Sequence, residues 1–163
     1  MSRAADSAGQ PWQGRHFEPN PSADDDGSAP ARYLDARDAF RRGDLTLSGL
    51  VDAVRECRFL IPLVAVAGDT GLTAEGLVVD KSQELSIITV SGPDGRPILP
   101  VFSSVEAMTR WRPDARPVPA DAVRVALAAA SEGTDRVVID ARSGGDEVVL
   151  PRPAVWAIAQ GAE

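Results

Sequence analysis

Residues 85–102 read Leu-Ser-Ile-Ile-Thr-Val-Ser-Gly-Pro-Asp-Gly-Arg-Pro-Ile-Leu-Pro-Val-Phe, and this stretch decides the fold class. Two β-prone runs, Leu85–Ser91 and Pro97–Phe102, flank Gly92-Pro93-Asp94-Gly95-Arg96. Pro93 presets φ for a turn and Gly95 accepts positive φ, so the segment predicts a β-hairpin. Pro97 and Pro100 lack the amide hydrogen that a ladder uses, which directs the second strand toward a sheet edge.

Upstream, Phe59–Val66 is a continuous apolar run typical of a strand covered on both faces, with Pro62 pointing to an edge position or a bulge. Residues 76–80 form a further short strand. Two helices precede the run. The first, about 30–42, takes Ser28 as its cap, places Tyr33, Ala36 and Phe40 on one face, pairs Asp38 with Arg42, and stops at Gly43. The second, about 46–57, puts Leu47, Leu50, Val51, Val54 and Cys57 on a core face.

Downstream, Ser103-Ser104-Val105-Glu106 reads as a capping box with Ser103 as the cap, opening a short helix to about Trp111. After the extended link through Pro117 and Pro119, Asp121 caps a helix to Glu132 that turns Val123, Ala126, Leu127 and Ala130 inward. Strands at 136–140 and 147–150 flank a turn-rich loop, and a closing helix from near Pro153 docks Val155, Trp156 and Ala159. The expected fold is α/β of the α+β type, a mixed and mostly antiparallel sheet of about five strands with helices packed on it.

Residues 1–29 combine Gly, Pro, Ser and the run Asp24-Asp25-Asp26 without periodicity, so they read as a disordered acidic leader before one domain at 30–163. Trp12, His16 and Phe17 are either a docking motif or scattered residues of that leader. The net charge of −7 divides into −3 for the leader and −4 for the domain, so neither part forms the basic footprint that nucleic-acid binding needs. One cysteine, no signal-peptide pattern and no apolar run of membrane-spanning length predict a cytoplasmic protein off the membrane.

Chemistry is scarce. The only histidine, His16, lies in the leader, which removes Ser-His and Cys-His arrangements and ordinary metal sites from the domain. Cys57 sits on an inner helix face and reads as an inert thiol. The carboxylate pairs Asp80 with Glu84 and Asp140 with Asp146 fall at element ends, where acids cap and turn. Gly68-Asp69-Thr70-Gly71 lacks the lysine of a phosphate loop, and Ser143-Gly144-Gly145 lies in a hairpin loop. The sequence therefore predicts no catalytic residues, no metal and no cofactor. The cluster Arg110, Trp111, Arg112 and Arg116, with Asp80 and Lys81, is the candidate ligand-binding set, since guanidinium groups grip anions and Trp111 offers a stacking face. The plainer reading anchors Trp111 in the core and pairs the arginines with nearby acids.

Asp80-Lys81, the strand 85–90, Gly92-Pro93-Asp94-Gly95-Arg96, Pro100-Val101-Phe102-Ser103-Ser104, Trp111-Arg112-Pro113 and Arg116-Pro117 together resemble the SseB N-terminal domain family of bacterial proteins. The arginine- and alanine-rich composition resembles single-domain members from high-GC actinobacteria. Members commonly carry Phe-Thr-Ser where this chain has Phe102-Ser103-Ser104, which keeps the hydroxyl. The resemblance implies an α/β fold and cytoplasmic residence and assigns no site.

Two functions follow as expectations. The leading one is a non-catalytic protein-interaction or regulatory module that binds a partner protein through exposed strand edges, edges that serve a homodimer equally well. The alternative is a small-anion or nucleotide-binding domain built on the arginine cluster. An enzyme working with carboxylates alone is the third reading.

Overall fold

The computed structural model describes residues 23–67, 70–72, 78–80, 83–134 and 136–161, and side chains of 66–85 lie outside the description. In chain order the elements are α1 (Ala31–Arg41), α2 (Leu47–Arg55), β1 (Arg58–Ala67), β2 (Thr70–Leu72), β3 (Val78–Asp80), β4 (Gln83–Ile87) and β5 (Val90–Ser91), then β6 (Pro97–Val101), α3 (Val105–Trp111), β7 (Arg116–Asp121), α4 (Ala122–Ser131), β8 (Arg136–Ile139), β9 (Val148–Pro151) and α5 (Arg152–Ala159). The α+β class is as expected, but the described strands form separate sheets ordered β4-β1-β7, β2-β3 and β5-β6-β8-β9 in place of one sheet of about five. All described pairings are antiparallel except β6 with β8.

The apolar run of β1 is covered on both faces, as its composition predicts. Phe59 and Ile61 enter the main core, while Leu60 on the opposite face joins Phe102, Met108 and Ala115 in a smaller core. Alternation at period two makes one strand the shared wall of both. Reciprocal bonds between Leu60 and Phe102, 2.8 and 3.0 Å, join the two larger sheets at this point.

Two proline expectations are corrected. β1 is the central strand of its sheet, and Pro62 stands opposite Pro117, where neither residue has an amide hydrogen to donate to the other. The β4 pairing starts only at Leu63. β6 is also internal, between β5 and β8. Its pairing with β5 covers only Pro97 and Ile98, so the β5 flank of Pro100 is free of a ladder. The predicted hairpin is present but shorter, with Gly95 at φ 78° and Gly92 bonded to Arg96, while residues 83–87 pair with β1 instead.

Helix faces follow tertiary packing more than sequence pattern. In α4 the buried residues are Ala122, Val125, Ala126 and Ala129, and Leu127, expected inside, is 53% exposed. Alanine and valine occur all around this helix, so its apolar stripe is ambiguous in sequence. In α5 the core takes Ala154, Val155 and Ile158, whereas Trp156 is 53% exposed beneath the Arg152 guanidinium, 5.2 Å from the ring centroid. Leu47 is likewise at the surface, with Thr46 capping α2 through Gly49. Asp38 pairs with Arg37 instead of Arg42, whose partner is Asp44.

Ser28 does not cap α1, whose first turn has no side-chain cap; its hydroxyl instead donates to Asp26. Residues 25–28, grouped by composition with the leader, are held on the domain. Arg58 binds Asp25, the Ser28 carbonyl and the Ser103 carbonyl, and the Gly27 carbonyl accepts from Val105. Gly27 has φ 77°, and a Cβ there would lie 2.7 Å from Val105 Cγ2, so both conformation and space require glycine. Trp12, His16 and Phe17 lie outside the described residues.

The core contains Leu99 with no exposed surface, between α4 and the β6–β8 pair. Leu99→Ala is expected to cost about 2–5 kcal/mol, and Leu127→Ala at its half-exposed site about 0.5 kcal/mol. Urea denaturation midpoints of the two variants check this order, and equal losses would contradict the helix orientation.

Candidate functional site

β6 and β8 run parallel, and their carboxyl ends release the chain at Ser103 and Asp140. Crevices outside the carboxyl ends of parallel strands are common ligand sites, because the loops there diverge over an exposed sheet end. A cleft of about 400 Å³ opens here, lined among others by Arg37, Ser104, Arg110, Asp140, Arg142 and Ser143.

Asp140 is 3% exposed, against the expectation of a solvated turn acid. Its Oδ1 accepts from the Ser103 amide at 2.8 Å and its Oδ2 from the Ser103 hydroxyl at 2.7 Å. A buried carboxylate is tolerated when both oxygens are bonded. Ser103 is thereby removed from the capping role assigned to it, and Ser104 caps α3 by accepting from Ala107 at 3.1 Å, while Glu106 turns to Arg110. The chain then curls through two left-handed residues, Asp140 at φ 55° and Arg142 at φ 59°. Such conformations cost about 1–3 kcal/mol each and persist where surrounding contacts fix them. Here the Asp140 amide donates to Val101, the Ser143 amide to the Asp140 carbonyl, and the Arg142 amide to Glu147.

Two polar atoms by the cleft are shielded from solvent without a hydrogen-bond partner among the described residues, the Ser143 Oγ and the Tyr33 hydroxyl. Burial, and next the Asp140 carboxylate, push the Tyr33 hydroxyl pKa well above its ordinary value, so it remains a neutral donor. Asp146 is engaged from outside by Arg41 at 2.6 Å.

A second depression, a groove of about 700 Å³, crosses the face of the four-stranded sheet opposite the helices. Val90, Ile98, Val138 and Val149 supply its apolar surface, Trp111 forms a wall, and Arg112, Arg136 and Arg142 reach its margin. Arg136 is bonded to Asp94. Trp111, Ala141 and Arg142 line both depressions.

Of the six residues expected from sequence, Arg110 and Trp111 line the cleft and Trp111 and Arg112 line the groove. Arg110 is at the cleft and bonded to Glu106 at 2.7 Å; Arg112 is at the groove and bonded to Asp114 at 2.8 Å, which holds that carboxyl below its ordinary range. Trp111 packs on Phe102 with ring centroids 5.1 Å apart. Arg116 opens β7 opposite Leu63, Asp80 ends β3 opposite Thr70, and Lys81 lies outside the described residues. Sequence reading passed over Arg37 and Arg142 and set Ser143 aside as part of a hairpin loop, because the parallel adjacency of β6 and β8 leaves no local signal. The usable hint was an aspartate and a serine closing two apolar strands.

Among the described residues, no three His, Cys, Asp or Glu side chains gather as metal ligands, and no helix is long and apolar enough to cross a membrane. Cys57 is buried, and burial raises its thiol pKa, so less thiolate forms at a given pH.

Ser103→Ala leaves a buried Asp140 oxygen without its hydroxyl partner and is expected to cost about 1–3 kcal/mol by urea denaturation. A loss no larger than that of an exposed serine would show the contact to be dispensable. At pH 8 Cys57 should react with a thiol-specific disulfide reagent far more slowly in the native protein than in denaturant. Equal rates would contradict its burial.

A family model described as the SseB protein N-terminal domain matches residues 32–157, most of the chain. No curated protein and no solved structure matches it. The matched span holds the parallel pair, the Ser103–Asp140 contact and both depressions apart from Ala29. The chain thus belongs to the SseB N-terminal domain family.

Proposed function

We propose that this protein is a non-catalytic interaction or regulatory module of the cytoplasm, binding a partner protein across the open face of its four-stranded sheet. The groove carries the reading: exposed Val149 with half-buried Val90 and Ile98 over buried Val138, beside Trp111 at the end of α3. Val149 is 48% exposed on β9, an edge strand. Apolar surface framed by polar groups, with an aromatic residue and arginines, is the composition of protein interfaces. At its margin Arg112 and Arg136 hold Asp114 and Asp94 in exposed pairs that a partner's carboxylates can exchange, which favours a partner segment carrying apolar side chains flanked by carboxylates.

The net charge of −7 argues against a nucleic-acid partner. The single cysteine supports a reducing compartment. The arginine run 110–116 lends little to a ligand site of its own, since Arg110 and Arg112 are occupied by neighbouring carboxylates and Arg116 stands apart.

Val90→Asp with Val149→Asp tests the reading. The pair is expected to leave the fold intact by circular dichroism and to abolish recovery of a partner that the wild-type chain retains after crosslinking and affinity capture. A second copy as partner appears instead as concentration-dependent mass in sedimentation, lost in the same variant. Equal behaviour of variant and wild type in both measurements overturns the reading.

A further inference from the structure

The cleft beyond β6 and β8 differs from the groove in chemistry. Its carboxylates are already engaged, Asp140 by Ser103 and Asp146 by Arg41. Its donors are not exhausted. Arg142 forms no ion pair among the described residues. The Ser143 hydroxyl is shielded and unpartnered, and Ser104 uses its oxygen as an acceptor, leaving its proton to donate. Arg37 and Arg110 also line the cleft, each already in an ion pair, with Asp38 and Glu106. Arg142 is thus the guanidinium at this cleft that stays unpaired among the described residues, in a chain of net charge −7.

We propose that this cleft is a binding site for the phosphate group of a small molecule, with Arg142 as the charged clamp and Ser143 and Ser104 as hydroxyl donors. Guanidinium forks and hydroxyls match the several acceptor oxygens of a phosphate, which a carboxylate satisfies less fully. A volume of about 400 Å³ holds a compact phosphomonoester. The left-handed backbone at Arg142 fits the same purpose: it keeps this residue where glycine would be the relaxed choice, and the retained side chain faces the cleft. The site is distinct from the arginine run expected from sequence, of which only Arg110 takes part.

The test uses the full chain, inorganic phosphate and glycerol 3-phosphate, with sodium chloride at matched ionic strength, read by titration calorimetry and by amide shifts in heteronuclear NMR spectra. Saturable binding should move the amides of Ser104 and 142–144 and leave those of β9 in place. Arg142→Gly, which removes the guanidinium and relaxes the backbone, should raise the melting temperature and weaken binding at least tenfold. Ser143→Ala should preserve folding and weaken binding severalfold. Tighter binding of glycerol 3-phosphate than of phosphate supports a phosphomonoester; the reverse order supports free phosphate in the same cleft. Shifts no larger than those from chloride, or unchanged affinity in both variants, overturn the proposal. Partner capture through the groove is read on Val90 and Val149, so either idea can fail without the other.

Discussion

Asp140 is the constraint on which the upper half of the molecule depends. A carboxylate taken out of water must have its oxygens satisfied, and Ser103 supplies both bonds, one from the backbone and one from the hydroxyl. The contact ties together the carboxyl ends of the one parallel pair among the described strands. It also shifts the cap of α3 to Ser104, which starts the helix where Trp111 can reach Phe102. On the other side it fixes the first left-handed residue of the β8–β9 turn. The cleft is bounded by these consequences.

β1 distributes this order through the rest of the fold. Because its alternate residues face different cores, it cannot slip by one position without exchanging Phe59 and Ile61 for Leu60. Its reciprocal bonds with Phe102, the residue after β6, lie one residue from Ser103. The sheet beyond this junction is covered by helices on one face, where Leu99, Val137, Ile139 and Leu150 are buried. On the other face α3 reaches only one end, and the groove is what remains open.

Charge is arranged against the overall balance. Most arginines of the domain hold exposed carboxylates close by, in solvent-screened pairs that contribute little to stability and are readily exchanged for another anion. Arg58 is the exception, since it stitches Asp25, Ser28 and Ser103 into one partly buried junction. The two depressions draw on the first kind of arginine together with Arg142, which forms no ion pair among the described residues.

By itself the sequence determined what depends on neighbours along the chain. The 92–96 turn, the cap at Asp121, the doubly covered run in β1 and the amphipathic second helix are all set within a few residues, where steric and hydrogen-bonding preferences act directly. The family was legible as well, from the residues between 80 and 117 that resemble it, which lie inside the matched span 32–157. Tertiary structure alone decided where Pro62 and Pro100 are tolerated, which side of α4 faces inward, and that Ser103 serves Asp140 across 37 positions of sequence. It also scattered the arginines of 110–116 and brought Arg37 beside Arg142. Those outcomes turn on which strands become neighbours, a choice made by burying the summed apolar surface of the whole chain.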